Sequence, residues 1–430
     1  MLRCLIVALS LGTAAMAADR AGESPTFNKD VLPILQKDCQ ACHRPGEIGP
    51  MPLLTYQGAR PWAKAIKSAV LAKKMPPWFA DPKYGHFAND RSLTQAEVNT
   101  LAAWADGGAP EGDAKDRPAA VKWVEGWNIP EPDLVVQMPV DVEVPAAGTV
   151  EYTYMIVPTG FTEDKWVQQI EVRPGNRAIV HHANVYIRRA GSPWLRQYPT
   201  GVAFVPDEQK TSSSAGAPLL DENIAGFVPG KQTVILKPEQ AKLIPAGSDI
   251  VFQMHYTANG TAGKDRSKVG FVFSKQTPEK RVARIYAANN SFVIPPGAPE
   301  YRVEASTTLK ADTELVSLKP HMHLRGKSME FRAVYPSGER EILLNVPQYS
   351  FNWQLEFVLD HPKLLPKGTR LEVSAAFDNS PNNPYNPDPQ KEVHWGDQSW
   401  EEMMIGYFEI GFPPKLDLPD MLGGNKRQLQ

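Results

Sequence analysis

Between residues 133 and 415 the chain repeats one pattern that few folds accept. Short runs alternate apolar with polar residues, or string β-branched and aromatic residues together, and each run is closed by a turn. The clearest are VEYTYMIV (150–157), WVQQIEV (166–172), IVHHANVYI (179–187), DIVFQMHYTA (249–258), KSMEFRAVY (327–335) and TRLEVSAAF (369–377). A period of two sends successive side chains to opposite faces of a strand, so each alternating run can cover a core with one face only. PTG, RPGN, PAGS, NGTAG, YPSGE and LPKG separate the runs and supply turn conformations. The pattern predicts two consecutive all-β antiparallel sandwich domains, over 133–280 and 281–415. Forty prolines suit such an architecture better than long helices. The residues after 415 (416–430) read as a polar, glycine-bearing tail without stable order.

Charge narrows the function. With 46 basic against 48 acidic residues, the chain has no surplus with which to bind nucleic acid or an anionic membrane surface. The first seventeen residues, MLRCLIVALSLGTAAMA, place Arg3 before an apolar stretch from Leu5 to Leu11 and end in Ala15-Met16-Ala17. They read as a secretory signal peptide, residues 1–17, too short to span a bilayer. No later stretch has 18 unbroken apolar residues, so the expectation is an exported, periplasmic protein with no membrane span. Removing Cys4 with the signal leaves Cys39 and Cys42 alone.

Those two cysteines stand in CQACH, as Cys39-x-x-Cys42-His43. In an exported protein this spacing reads as covalent attachment of one haem c, with His43 as an axial ligand. Asn28 to Asp38 can pack as a short helix before the motif, and Pro61 to Lys74 carries Trp62, Ile66, Ala69 and Val70 at helical spacing. Thr94-x-x-Glu97 is a capping box ahead of Val98, Leu101 and Ala105, and Gly107-Gly108 closes that helix. Together these features resemble a class I cytochrome c, and predict a small all-α cytochrome c domain over 25–112 with a linker at 113–132. Met75, before Pro76-Pro77, is the preferred second axial ligand; Met51 is the competitor, and His86 a further alternative.

The histidines are few and grouped. Of nine, one is His43, and five of the other eight fall in three strand runs: His181 and His182, His255, and His321 and His323. A lone histidine is more often a hydrogen-bonded core residue, but paired histidines on strands point to a metal. His321 and His323, two apart on a strand, share a face. His181 and His182 do not, so a shared ion there needs a bulge or a strand end.

In this order the motifs resemble the copper type II, ascorbate-dependent monooxygenases, the family of peptidylglycine α-hydroxylating monooxygenase and dopamine β-monooxygenase. The resemblance covers roughly residues 130–415 and implies two jelly-roll domains with one copper each. It implies that His181, His182 and His255 of MHYTANG hold the first copper. It implies that His321 and His323 of HMHLRGK hold the second with Met403 of EEMMIGY, Met404 being the neighbouring alternative. Imidazole with thioether suits copper, because sulfur is soft. His321, His323 and Met403 would then be catalytic, using O2 to hydroxylate a C–H bond of a small organic substrate. The three-histidine copper would store an electron.

The sequence also departs from the family. It has no cysteines for disulfides in the β region, and Ile405 stands where the peptide-hydroxylating members use Asn to hold a substrate carboxylate. Lys319 and Tyr407 retain the other two positions. His394, nine residues before Met403, reads either as a support behind the metal ligands or as structural, and His361 as a surface loop residue. A fused haem is expected to feed the three-histidine copper, beside or in place of ascorbate, another external reductant or a periplasmic electron donor. The alternative is a periplasmic electron-transfer or copper-binding protein without hydroxylase activity.

Overall fold

The computed structural model describes residues 24–418 and 421, apart from 48, 125, 207–222, 229–232 and 397. The signal-peptide segment lies outside the described residues.

The period-two runs form strands. Thr153–Pro158, Lys165–Arg173, Val180–Arg188, Asp249–Tyr256, Gly326–Val334 and Arg370–Phe377 each fall on or within one residue of a run read from the sequence. In the first half, Thr153–Pro158, Asp249–Tyr256, Val180–Arg188 and Asn223–Phe227 belong to a five-stranded sheet. Its inner side packs Met155, Val185, Phe252 and Met254 against Val167, Ile170, Val269 and Phe271. In the second half, Tyr301–Thr308, Arg370–Phe377, Gly326–Val334 and Arg340–Val346 form a four-stranded sheet. That sheet closes over a core including Phe331, Leu344, Val373, Phe377, Phe408 and Phe412.

The second layer of both halves is one nine-stranded sheet. Its first-half strands Lys165–Arg173 and Gln240–Ile244 continue into Lys280–Ala288, Ile405–Phe412, Thr313–His321 and Phe357–Leu365. The join is a parallel pairing, Lys280 with Gln240 and Arg281 with Ala241. The two wholly antiparallel and separate sandwiches read from the sequence are corrected accordingly, since the halves share a sheet. A buried ion pair, Lys242 with Glu409, lies across the same join.

A separate all-α cytochrome c domain does not form. Strand accounts for 37% of the chain and helix for 12%, which leaves too little helix for such a domain. The helices Leu32–Asp38, Tyr56–Ala59, Ala63–Leu71 and Gln95–Asp106 are short, the longest having twelve residues. Thr94 and Glu97 do form the capping box, and Phe27, Val31, Leu35, Leu101 and Trp104 make a small apolar centre. The stretch between the last two helices belongs elsewhere. Trp78, Phe79 and Phe87 pack on the core of the second sandwich. The Asp81 N–H donates to the Asn345 carbonyl at 2.8 Å, and the Ala88 N–H to that of Val358 at 2.8 Å. These aromatics need more apolar surface than the short helices offer, and the sandwich supplies it.

Two further segments are better anchored than their composition predicts. In the linker, the N–H groups of Asn128 and Ile129 and the Asn128 amide donate to the buried Glu171 carboxylate, at 2.5, 3.3 and 2.9 Å. Beyond residue 415, Leu418 and Met421 are buried in the second core, and the Lys310 N–H donates to the Met421 carbonyl at 2.9 Å. Among the described residues, no helix is long and apolar enough to cross a membrane.

Candidate metal centre

His181 and His182 come from Val180–Arg188, and His255 from the neighbouring strand Asp249–Tyr256. Across this ladder His255 faces His182, but Tyr256 faces Val180, so the register slips by one residue at His181. A bulge of this kind re-aims a side chain and lets neighbouring residues reach one place. The three rings meet: His181 Nδ1 is 3.1 Å from His182 Nδ1, which is 3.3 Å from His255 Nδ1. One ligand atom from each lies within 4.8 Å of the others, a spacing that suits a single ion held at about 2 Å from each nitrogen. His182 Nε2 lies 3.3 Å from the Tyr152 hydroxyl, and with an ion on Nδ1 the ring would donate its Nε2 hydrogen to that oxygen. The Tyr152 ring also stacks on His255, centroids 4.8 Å apart.

Burial keeps the cluster neutral, which is the ligating form of imidazole. It lowers the pKa of His181. Burial and the neighbouring His255 and His181 hold His182 well below its ordinary value. Burial, then His181 and His323, lower His255 to about 4. The donor set is all imidazole, His182 is buried with His181 and His255 half-buried beside it, and their nitrogens converge, so these residues fit a borderline metal such as copper or zinc.

His321 ends the strand Thr313–His321, so His323 lies just past the strand and before the turn at 324–325, which corrects the shared strand face read from the sequence. Their rings are 5.3 Å apart. His323 Nδ1 donates to the Glu401 carbonyl at 3.2 Å, and His321 Nδ1 to Gln354 Oε1 at 3.0 Å. With its Nδ1 engaged, His321 keeps the Nε2 lone pair for a ligand, and His323 is held by the backbone of Glu401 and Gln398, outer hydrogen bonds of the kind that fix metal-binding histidines. Burial, His323 and Lys319 hold His321 well below the ordinary value, and burial lowers His323 to about 4.

Between the sequence alternatives Met403 and Met404, packing distinguishes. Met404 is wholly buried in the second core, whereas Met403 is not part of that cluster. Met403 follows Glu402, whose buried carboxylate accepts the N–H groups of His323 at 2.8 Å and Arg325 at 2.6 Å. The segment bearing Met403 is thereby tied to the histidine pair. Met322, between the two histidines, points into the core. Lys319 and Tyr407 sit opposite each other on adjacent strands, as do His321 and Ile405.

One side chain touches both histidine groups. The Phe351 ring lies 6.3 Å from His181 and 5.9 Å from His323, centroid to centroid. Phe351, Gln354, Tyr152 and Glu402 were all missed by sequence reasoning. Only Glu402 carried a signal, its place beside Met403.

Cys39 and Cys42 are unpaired thiols, and burial raises the pKa of both, Cys39 to about 12. His43 Nδ1 faces the Met51 carbonyl at 3.3 Å, leaving Nε2 available, as an axial ligand needs. Met51 packs with Cys39 on the helical centre, and Met75 is not in that cluster. His86 lies on the strap over the second sandwich, its carbonyl accepting the Asp360 N–H at 3.1 Å. The loop after the motif is fastened to the first sandwich. Glu47 pairs with Arg44 at 2.7 Å and with Arg177, four residues before His181. His394 pairs with Glu392 at 2.9 Å, and its carbonyl accepts the Glu402 N–H at 3.1 Å. His361 is exposed on the strand Phe357–Leu365 rather than in a loop.

No protein-family model matches the chain. No curated protein matches it either. Among solved structures, similarity is found to infectious bursal disease virus Gx strain at 8% identity and TM-score 0.17, covering 68% of this chain and 75% of that one. PNGF-II matches at 9% identity and TM-score 0.27, covering 66% and 65%. The major capsid protein P2 of bacteriophage PM2 matches at 9% identity and TM-score 0.26, covering 65% and 99%. Likeness this low supports no statement about chemistry.

Proposed function

We propose that this chain is an exported copper-dependent monooxygenase that hydroxylates a C–H bond of a small organic substrate. The observation that carries the reading is the meeting of His181, His182 and His255 at a bulged ladder, with His321 and His323 on the other side of Phe351. Two separate donor groups of this kind are more than a structural ion needs. Copper bound at the two groups would supply one-electron redox chemistry and O2 activation. The overall reaction consumes one O2, two electrons and two protons for each C–H bond hydroxylated, and releases one water.

The chain's own residues divide the work. The bulge at His181 lets three imidazoles present nitrogens to one point, and Tyr152 fixes the tautomer of His182 and the plane of His255. Gln354 holds the hydrogen of His321 on Nδ1 and so presents its Nε2, and the Glu401 carbonyl holds the His323 ring. Glu402 ties the Met403 segment to the histidine pair, and Met403 is the proposed soft third donor. The Phe351 ring lies against one histidine of each group. Lys319 and Tyr407, side by side near His321, are the proposed contacts for a polar substrate group.

Electrons are proposed to enter through a haem c bound covalently at Cys39 and Cys42 with His43 on the iron, or from ascorbate or another periplasmic reductant. The Glu47–Arg177 ion pair supports the haem route, because it holds the loop after the CxxCH motif against the turn that leads into His181.

Metal content tests the reading. The full chain matured with haem, loaded with copper and desalted should hold two coppers, and His181→Ala and His321→Ala should each hold one. Copper at background in the parent protein would overturn it. Two coppers with no O2 consumption on any C–H substrate class would favour a copper-binding or electron-transfer protein instead.

A further inference from the structure

One stretch of the helical segment differs in charge from the chain around it. The whole protein is nearly neutral, at −2. Residues 49–80 nevertheless hold five bases, Arg60, Lys64, Lys67, Lys73 and Lys74, and no acid. The helix Ala63–Leu71 buries Ala63, Ile66 and Val70 along one stripe. Lys64, Lys67 and Leu71, three and four residues apart, share another face of it. Arg60, Lys64, Lys73 and Lys74 are exposed, and Lys67 pairs with Asp106 at 2.6 Å. Two large apolar side chains stand open among these bases, Trp62 at 43% and Leu71 at 53% exposure. Apolar and aromatic side chains inside a charged rim are the anatomy of a protein interface.

The place of this surface in the fold says what kind of partner it suits. The buried stripe of Ala63–Leu71 belongs to the apolar centre on which Cys39 packs. Lys73 and Lys74 directly precede Met75, the preferred second axial ligand. The basic face and the haem motif therefore share one small helical unit. A cluster of like charges steers an oppositely charged partner to itself and sets its rate of arrival. A basic amphipathic helix can also lie on an anionic membrane, but the apolar stripe of this one is buried in its own core.

We propose that this face receives an acidic electron-donor protein, which docks over Lys64, Leu71, Lys73 and Lys74 and passes one electron to the haem. This rests on the haem c reading above. The donor loses one electron and the ferric haem gains it, with no bond made or broken and no proton moved.

The test uses the full chain matured with haem, oxidised and kept anaerobic. The probe is a reduced plant-type ferredoxin, an acidic one-electron donor, and the readout is the rate at which the reduced haem α band appears. Lys64→Glu combined with Lys73→Glu and Lys74→Glu reverses the face. Lys237→Glu combined with Lys275→Glu and Lys310→Glu reverses three exposed lysines of the β region, and is the control of equal charge. At low salt the control should stay close to the parent, and the reversed face should be reduced about tenfold or more slowly. Added salt should slow the parent and bring the proteins together. Hexaammineruthenium(II), a small cation, should reduce the reversed face at least as fast as the parent, which shows its haem to be intact. Equal ferredoxin rates in the parent and the reversed face overturn the proposal, as does an equal fall in the control. Binding to phosphatidylglycerol vesicles that is lost in the reversed face, with ferredoxin rates unchanged, assigns the face to a membrane instead. A parent without any haem α band removes the haem reading, and this proposal with it. Should the combined reversal fail to mature, Lys64→Glu alone should still slow ferredoxin at low salt, and an unchanged rate there overturns the proposal.

Discussion

At the scale of single residues, side chains outside the two histidine groups orient the imidazoles that would hold the proposed metal. Tyr152 is the clearest, since it contacts two of the three imidazoles. Removing such an outer partner commonly weakens metal binding by about 10- to 100-fold. Tyr152→Phe keeps the stacking on His255 and loses only the hydrogen bond from His182. Its affinity for copper at the three-histidine group, measured by chelator competition, should fall toward the lower end of that range. Tyr152→Ala should fall further, and equal affinities in both variants would count against the role given to the hydroxyl. The five β-sandwich histidines could be singled out in the sequence because their chemistry is written in residue type and spacing. Gln354 and Phe351 could not, because SFNWQ is an ordinary loop until the fold carries it to His321 and between the two groups.

At the scale of elements, the strand Ile405–Phe412 organises the second half. It lies between Lys280–Ala288 and Thr313–His321, and begins two residues after Met403. Gly406 allows it to lie close on the core. A Cβ there would press on Val373 and come within 2.9 Å of Phe331. Gly406→Ala should therefore cost about 1–3 kcal/mol in denaturant unfolding, as overpacked cores do. It should also disturb copper at His321 more than at His181, because Gly406 faces Pro320 across the ladder. An unchanged midpoint would show that Val373 and Phe331 yield freely. Strands were legible because alternation is local. The bulge at His181 was legible as a requirement, since two adjacent histidines cannot share a face without one. The strap carrying Trp78 and Phe87 was not, because nothing local says which apolar surface those rings will cover. The helical segment was misread as a self-sufficient domain for the same reason. Its helices matched their signals, but a haem motif with capped helices does not reveal that intervening residues pack elsewhere.

At the scale of the whole molecule, the join between the halves combines a short parallel pairing with charge. Lys242 and Glu409 are buried together there. Glu409→Ala would leave the Lys242 ammonium without its carboxylate, and loss of one partner from a buried pair costs about 3–5 kcal/mol. Thermal unfolding should show that loss as one lowered transition affecting both halves. Replacing both members with apolar residues of similar volume should restore most of the stability. Two separate transitions in the parent protein would mean that the halves are less united than the sheet implies.

The shared sheet also bears on tempo. One sheet spans both halves, joined where Lys280 and Arg281 pair with Gln240 and Ala241, and the Phe351 ring lies against both His181 and His323. An enzyme that must swing its halves together works against the drag of the solvent, and slows as glycerol or sucrose thickens it. On the monooxygenase reading, the proposed transfer between the two groups needs no such swing, and turnover should keep its pace as solvent viscosity rises. A rate falling in proportion to viscosity would show that the halves move after all.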